Sequence, residues 1–153
     1  MRNFRLRFFI EGVPELSRIL KEEYRKVTNF KVPLKEASAF ILADVEQNFV
    51  TEGRLADEKG WQALADATVK GRAKLGFGGE HPILQRTGSL RRSFKAEVSA
   101  RKAVVTSHGV NYFKYHQSRK SRATKLPRRA MLVLTNRTKE NIQEVFNKFL
   151  RFD

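Results

Sequence analysis

Three histidines, one glycine-rich loop and two pairs of acids are the groups in this chain from which catalysis or ligand binding would have to be built. His81, His108 and His116 show no H-E-x-x-H or comparable spacing that would bring two imidazoles onto one metal ion. The stretch GFGGE at 76–80 has the glycine content of a phosphate loop. It lacks the G-x-x-x-x-G-K-[ST] order in which backbone amides and a lysine cradle phosphates, and it runs into Pro82 where a binding helix would have to begin. Asp44 with Glu46, and Asp57 with Glu58, fall in helical and loop contexts where solvation accounts for them. The chain has no cysteine, which removes thiolate nucleophiles, thiolate metal sites and disulfides together. No convergent acid, base or metal site emerges, so the expectation is a protein that is not an enzyme and needs no cofactor.

The stronger signal is charge. The formal net charge is +15, and the stretch from Arg86 to Arg129 holds 13 basic residues against one acid, Glu97, a net of +12. A positive field this localised points to an anionic partner, either nucleic acid or the acidic face of another protein. Tyr112, Phe113 and Tyr115 beside the basic region offer surfaces on which bases stack. Against nucleic acid, no helix-turn-helix or RNA-binding signature is present, and the basic density peaks in a loop. Direct nucleic-acid binding is therefore the second reading, and docking on protein the first.

The elements that must carry these groups are legible from periodicity. FRLRFFI (4–10) alternates and reads as a strand. Pro14 opens a helix with Leu16, Ile19, Leu20, Tyr24 and Val27 on its stripe. Pro33 opens a second, with Ala37, Ile41, Leu42, Val45 and Phe49, which ends near Gly53. A loop over 50–60 leads to a short third helix with Trp61, Leu64, Ala65 and Thr68 on one side, and the glycine-rich loop follows. After Thr87-Gly88 the pattern changes to period two: Leu90, Arg92, Phe94, Ala96 and Val98 fall on one face, and Arg91, Ser93, Lys95 and Glu97 on the other. That places Arg91 and Arg92 on opposite faces of a strand. AVVTS (103–107) and VNYFKYH (110–116) extend the strand into an antiparallel meander.

Residues 117–127 form a long basic loop, AMLVLT (130–135) reads as a buried strand, and a last helix capped by Asn136 or Thr138 carries Ile142, Val145, Phe146, Phe149 and Leu150. The sum is an α+β fold, a small antiparallel β-sheet with amphipathic helices packed on one face. At 153 residues a single domain spanning 1–153 is expected. No apolar run approaches the ~20 residues that cross a bilayer, and MRNFRLRFFIEG at the start reads as neither signal peptide nor anchor.

Four stretches, taken in order, carry a resemblance: GWQALADATVKGR (60–72), ILQRTGSLRRSF (83–94), YFKYHQ (112–117) and LPRRAMLVLTNRTKENI (126–142). Their W-x-x-L, T-G-x-L-x-x-S, Y-x-x-x-H-Q and P-x-R elements make the chain similar to the phage virion morphogenesis family, which includes the Mu-like tail completion proteins. The resemblance implies a non-enzymatic virion component of the neck, made in the host cytoplasm, that completes the tail and joins it to the DNA-filled head. It implies self-association as a ring, commonly hexameric, and contact with tail tube or sheath and head connector proteins, with non-specific DNA contact as a further possibility. Arg91, Arg92, Arg119, Lys120, Arg122, Lys125, Arg128 and Arg129 are the expected partner-binding residues.

Overall fold

A computed structural model describes residues 14–117 and 126–151 of the protein. The expected strand over 4–10 lies outside the described residues, as does the 118–125 part of the basic loop. Six helical segments and two strands follow in the order α1 (Pro14–Thr28), α2 (Lys31–Val50), α3 (Asp66–Lys74), α4 (Ser89–Arg92), β1 (Phe94–Val98), β2 (Ala103–Ser107), α5 (Phe113–Gln117) and α6 (Asn136–Leu150). The architecture is α+β, as the periodicity predicts.

Everything is arranged around α2. It begins two residues before Pro33, where the Asn29 side chain accepts a hydrogen bond from the Lys31 amide, and proline is tolerated in this first turn because its missing N–H has no helical partner there. On one side α2 packs against α6, and on another against β1 and β2. Val45 and Phe49 sit in the core with Trp61, Ile83, Leu90, Phe94 and Met131. Two aromatic pairs meet edge to face: Phe49 with Trp61 at 5.3 Å between centroids, and Phe94 with Phe113 at 5.6 Å. Phe30, just before α2, lies about equally far from Phe146 and Phe149 of α6.

The sheet is smaller than a meander. β1 and β2 pair antiparallel, with Phe94 opposite Ser107 and Val98 opposite Ala103, and no further strand joins them among the described residues. VNYFKYH folds as α5 instead. Helical spacing turns Phe113, His116 and Gln117 toward the protein while Tyr112, Lys114 and Tyr115 stay exposed, a division that alternation cannot produce for these residues. Likewise Leu90, Arg91 and Arg92 belong to the single helical turn α4 and the strand starts only at Phe94. Gly88 decides this: at φ +71° it is left-handed, a conformation that reverses the chain into a turn.

The third helix starts at Asp66, five residues later than the Trp61 stripe predicts. Trp61 to Ala65 stay outside the helix, because the Trp61 indole N–H donates to the Ala130 carbonyl (2.9 Å) and the Arg129 guanidinium takes the Gln62 and Ala63 carbonyls (3.0 and 3.1 Å). Gly53, at φ +91°, makes room for the indole: a β-carbon there would fall 2.2 Å from Trp61 Cδ1.

Residues 130–135, expected as a buried strand, form none: they pair with no strand, and only Ala130 and Met131 of them are buried. Side chains satisfy their backbone. Asn48 Nδ2 donates to the carbonyls of Ala130 (2.9 Å) and Met131 (3.2 Å). Gln117 Oε1 accepts from the amides of Met131 (2.8 Å) and Leu132 (2.9 Å), and its Nε2 donates to the Leu132 carbonyl (2.9 Å). The Asp44 carboxylate accepts from the Thr135 amide (3.1 Å) and hydroxyl, and Thr135 in turn caps α6 by accepting from the Thr138 amide (3.1 Å). The cap is thus Thr135 rather than Asn136 or Thr138, because Asp44 orients Thr135 for it.

Asn48 is fully buried, and removing its amide strands two carbonyls in the core. Asn48→Ala is expected to lower the unfolding free energy by about 2–4 kcal/mol in denaturant titration, while Asn147→Ala on the exposed side of α6 changes it by less than about 0.5 kcal/mol. Equal small effects at both positions would refute the role given to Asn48.

Candidate functional site

The four motif stretches converge on one region. Leu90 of the T-G-x-L element is buried against Phe49 and Met131 in the core. Trp61, Gln117 and Arg129, from the other three stretches, all bond to or belong to residues 129–132 and their neighbours. The Arg129 amide also donates to the His116 carbonyl (3.0 Å), so the H-Q pair binds the P-x-R segment through backbone and side chain at once. The order of these motifs along the chain is therefore an assembly of one clasp: Gln117 and Arg129 lock the segment that the Trp61 indole and Asn48 amide hold from beneath.

The arginines expected to meet partners divide into two kinds. Arg91, on α4 rather than a strand, reaches back to α2: its Nε donates to both Glu46 carboxylate oxygens (2.9 and 3.0 Å), its Nη2 to Glu46 Oε1, and its Nη1 to Gln85 Oε1 (2.8 Å). These bonds hold the Glu46 carboxyl below its ordinary range and raise the Arg91 guanidinium further. Arg92 does not point across a strand from it. Its guanidinium folds over Gly88 and donates to the Thr87 carbonyl (2.9 Å), leaving the side chain exposed. Arg129 is 4% exposed and burial lowers its pKa. Arg128, next to it, is exposed. Arg119, Lys120, Arg122 and Lys125 lie outside the described residues.

The histidines separate in space. His81 Nδ1 lies 2.6 Å from Glu52 Oε2, and the other Glu52 oxygen accepts from the Ile83 amide (2.7 Å). His108 Nε2 is 3.4 Å from Glu97 Oε1. His116 is buried and edge-on to Tyr112. Among the described residues no group of three or more His, Cys, Asp or Glu is placed to hold a metal ion, and no helix is long and apolar enough to cross a membrane.

Two contributors have only faint sequence signals. Asn48 interrupts the apolar stripe of α2 beside Phe49, the position where a polar side chain aimed at backbone is hidden by the pattern. Arg72 is 6% exposed in α3 although nothing in VKGRAKLG distinguishes it from its basic neighbours.

The model of the phage virion morphogenesis family matches residues 13–151 of the chain. No curated protein and no solved structure matches it.

Burial, and then the nearby charge of Arg129, lower the His116 pKa from its ordinary 6.5. Above that value the ring is neutral folded or unfolded and adds no pH dependence. As pH falls through it, the unfolded chain takes up the proton first, so stability is expected to decline as pH drops below about 6.5. In chemical unfolding, His116→Gln should flatten that decline relative to its own value at neutral pH. An unchanged slope would contradict a buried neutral imidazole.

Proposed function

The chain belongs to the phage virion morphogenesis family, so its work lies in assembling the virion, and from that premise we propose that it acts at the neck, where it completes the tail and joins it to the DNA-filled head. On this reading it is non-enzymatic and works as a ring of copies, six being the expected number. Its partners are the tail tube or sheath and the head connector.

The observation that carries this reading is the distribution of the positive charge. The net charge between Arg86 and Arg129 is +12, and of the described residues there Arg91 is tied to Glu46. Arg92 and Arg128 are exposed, and Tyr112, Tyr115 and Leu126 lie exposed in the same stretch of chain. Cations beside apolar surface suit an interface, where complementary charge steers encounter and buried aromatic and leucine side chains hold the contact. Exposed Tyr115 under the Lys114 ammonium (5.3 Å) also favours the second reading, in which bases stack there and phosphates meet the arginines.

The test is electron microscopy of particles assembled with wild-type protein, without it, and with Arg119, Lys120, Arg122 and Lys125 changed to Glu. The neck reading predicts joined particles only with wild type, and separate filled heads and tails in the other two. Normal joining without the protein would refute it. Salt-sensitive binding of duplex DNA by the isolated protein, abolished by the same changes while joining persists, would select the second reading instead.

A further inference from the structure

A cleft of about 820 Å³ opens between α3, the loop leading to α4, the start of α5 and residues 126–129. Its walls are apolar, with Leu64, Leu84 and Leu126 among them, and Tyr112 stands at its edge. Every charged side chain that lines it is an arginine: Arg72, Arg86 and Arg129, with no Asp or Glu. An arginine buried without an acid is an incomplete arrangement, because its desolvation is offset only by hydrogen bonds to neutral groups.

Arg129 completes its bonding on the Gln62 and Ala63 carbonyls. Arg72 does not. It is 6% exposed, one Nη donates to the Phe77 carbonyl at 3.3 Å, and its Nε has no partner among the described residues. His116 is 8% exposed and its Nδ1 is likewise without a partner. One cleft therefore holds a cationic donor that lacks an acceptor and, beside it, a buried imidazole nitrogen that lacks a partner.

We propose that this cleft docks an acidic, apolar peptide segment of a partner protein, with an Asp or Glu carboxylate accepting from Arg72 and a neighbouring leucine or aromatic side chain lodged against Leu84 and Leu126. A peptide brings both at residue spacing. A phosphate backbone brings acceptors only, and the arginines a duplex would need are buried at the floor rather than ranked along the surface. Arg86, exposed and lying 5.4 Å from the Phe77 ring centroid, sits where it draws an acidic segment toward the opening. The assignment is independent of where in the particle the protein sits.

Selection of random short peptides on the full-length protein tests it. Peptides that pair Asp or Glu with a nearby Leu, Phe or Trp are expected to be enriched. A fluorescein-labelled example should lose about tenfold in affinity on Arg72→Met, on Arg86→Glu, or on changing its own Glu to Gln. Leu126→Ser, at an exposed rim position that the fold does not depend on, should weaken binding with the thermal midpoint unchanged, which separates loss of docking from loss of folding. Three outcomes overturn the proposal: enrichment without the acid and apolar pairing, no enrichment beyond that on the Arg72→Met and Arg86→Glu double variant, or displacement of the peptide by a single-stranded oligonucleotide, which assigns the cleft to nucleic acid.

Discussion

The fold depends on one segment whose backbone is bonded by side chains. Residues 130–135 pass over α2 with Ala130 and Met131 buried, and buried amides and carbonyls must find partners or carry a penalty of about 1–3 kcal/mol each. A strand would solve this with a ladder. Here the partners are Asn48 and Asp44 from α2, Trp61 from the preceding segment and Gln117 from α5. Because these partners come from three parts of the chain, the segment cannot settle until α2, the Trp61 region and α5 are all in place. It thereby couples elements that are far apart in sequence.

That arrangement explains what the sequence discloses and what it hides. Helices with a long apolar stripe are plain in it: Ala37, Val45 and Phe49 on α2 and the phenylalanines of α6 mark their faces at helical spacing, and Pro14 and Gly53 mark boundaries. The strand Phe94–Val98 is equally plain from alternation. Short elements fail. Ser89–Arg92 is one turn long, too brief for any period, and its direction is decided by the left-handed Gly88. Phe113–Gln117 alternates well enough to pass for a strand, and its helical form is decided by Phe113 meeting Phe94 and by Gln117 reaching Met131, contacts no local pattern contains. AMLVLT, read from its composition as a buried strand, forms none, and its missing ladder is invisible until Asn48 and Gln117 are seen beneath and beside it. At the site, the H-Q and P-x-R motifs stand out as residues without disclosing that they bind each other, and Arg72 and Asn48 are conspicuous only through burial.

The same geometry sorts the charges. Arginines look alike in a chain of net +15, but the planar guanidinium serves two purposes here. Arg129 and Arg91 are structural, the first bridging two carbonyls of the Trp61 segment and the second tying α4 to Glu46 of α2. Arg92, Arg86 and Arg128 remain at the surface. The clasp at residues 129–132 fixes the positions of Gln117 and Arg129 relative to each other.

Amide hydrogen exchange tests the clasp most directly. The Met131 and Leu132 amides, which have a side-chain acceptor in place of a ladder, should exchange as slowly as the core amides of α2, and should lose that protection in Gln117→Leu while α1 keeps its own rate. Exchange of Met131 and Leu132 at the rate of an open loop in the wild-type protein would contradict the claim that this segment organises the fold.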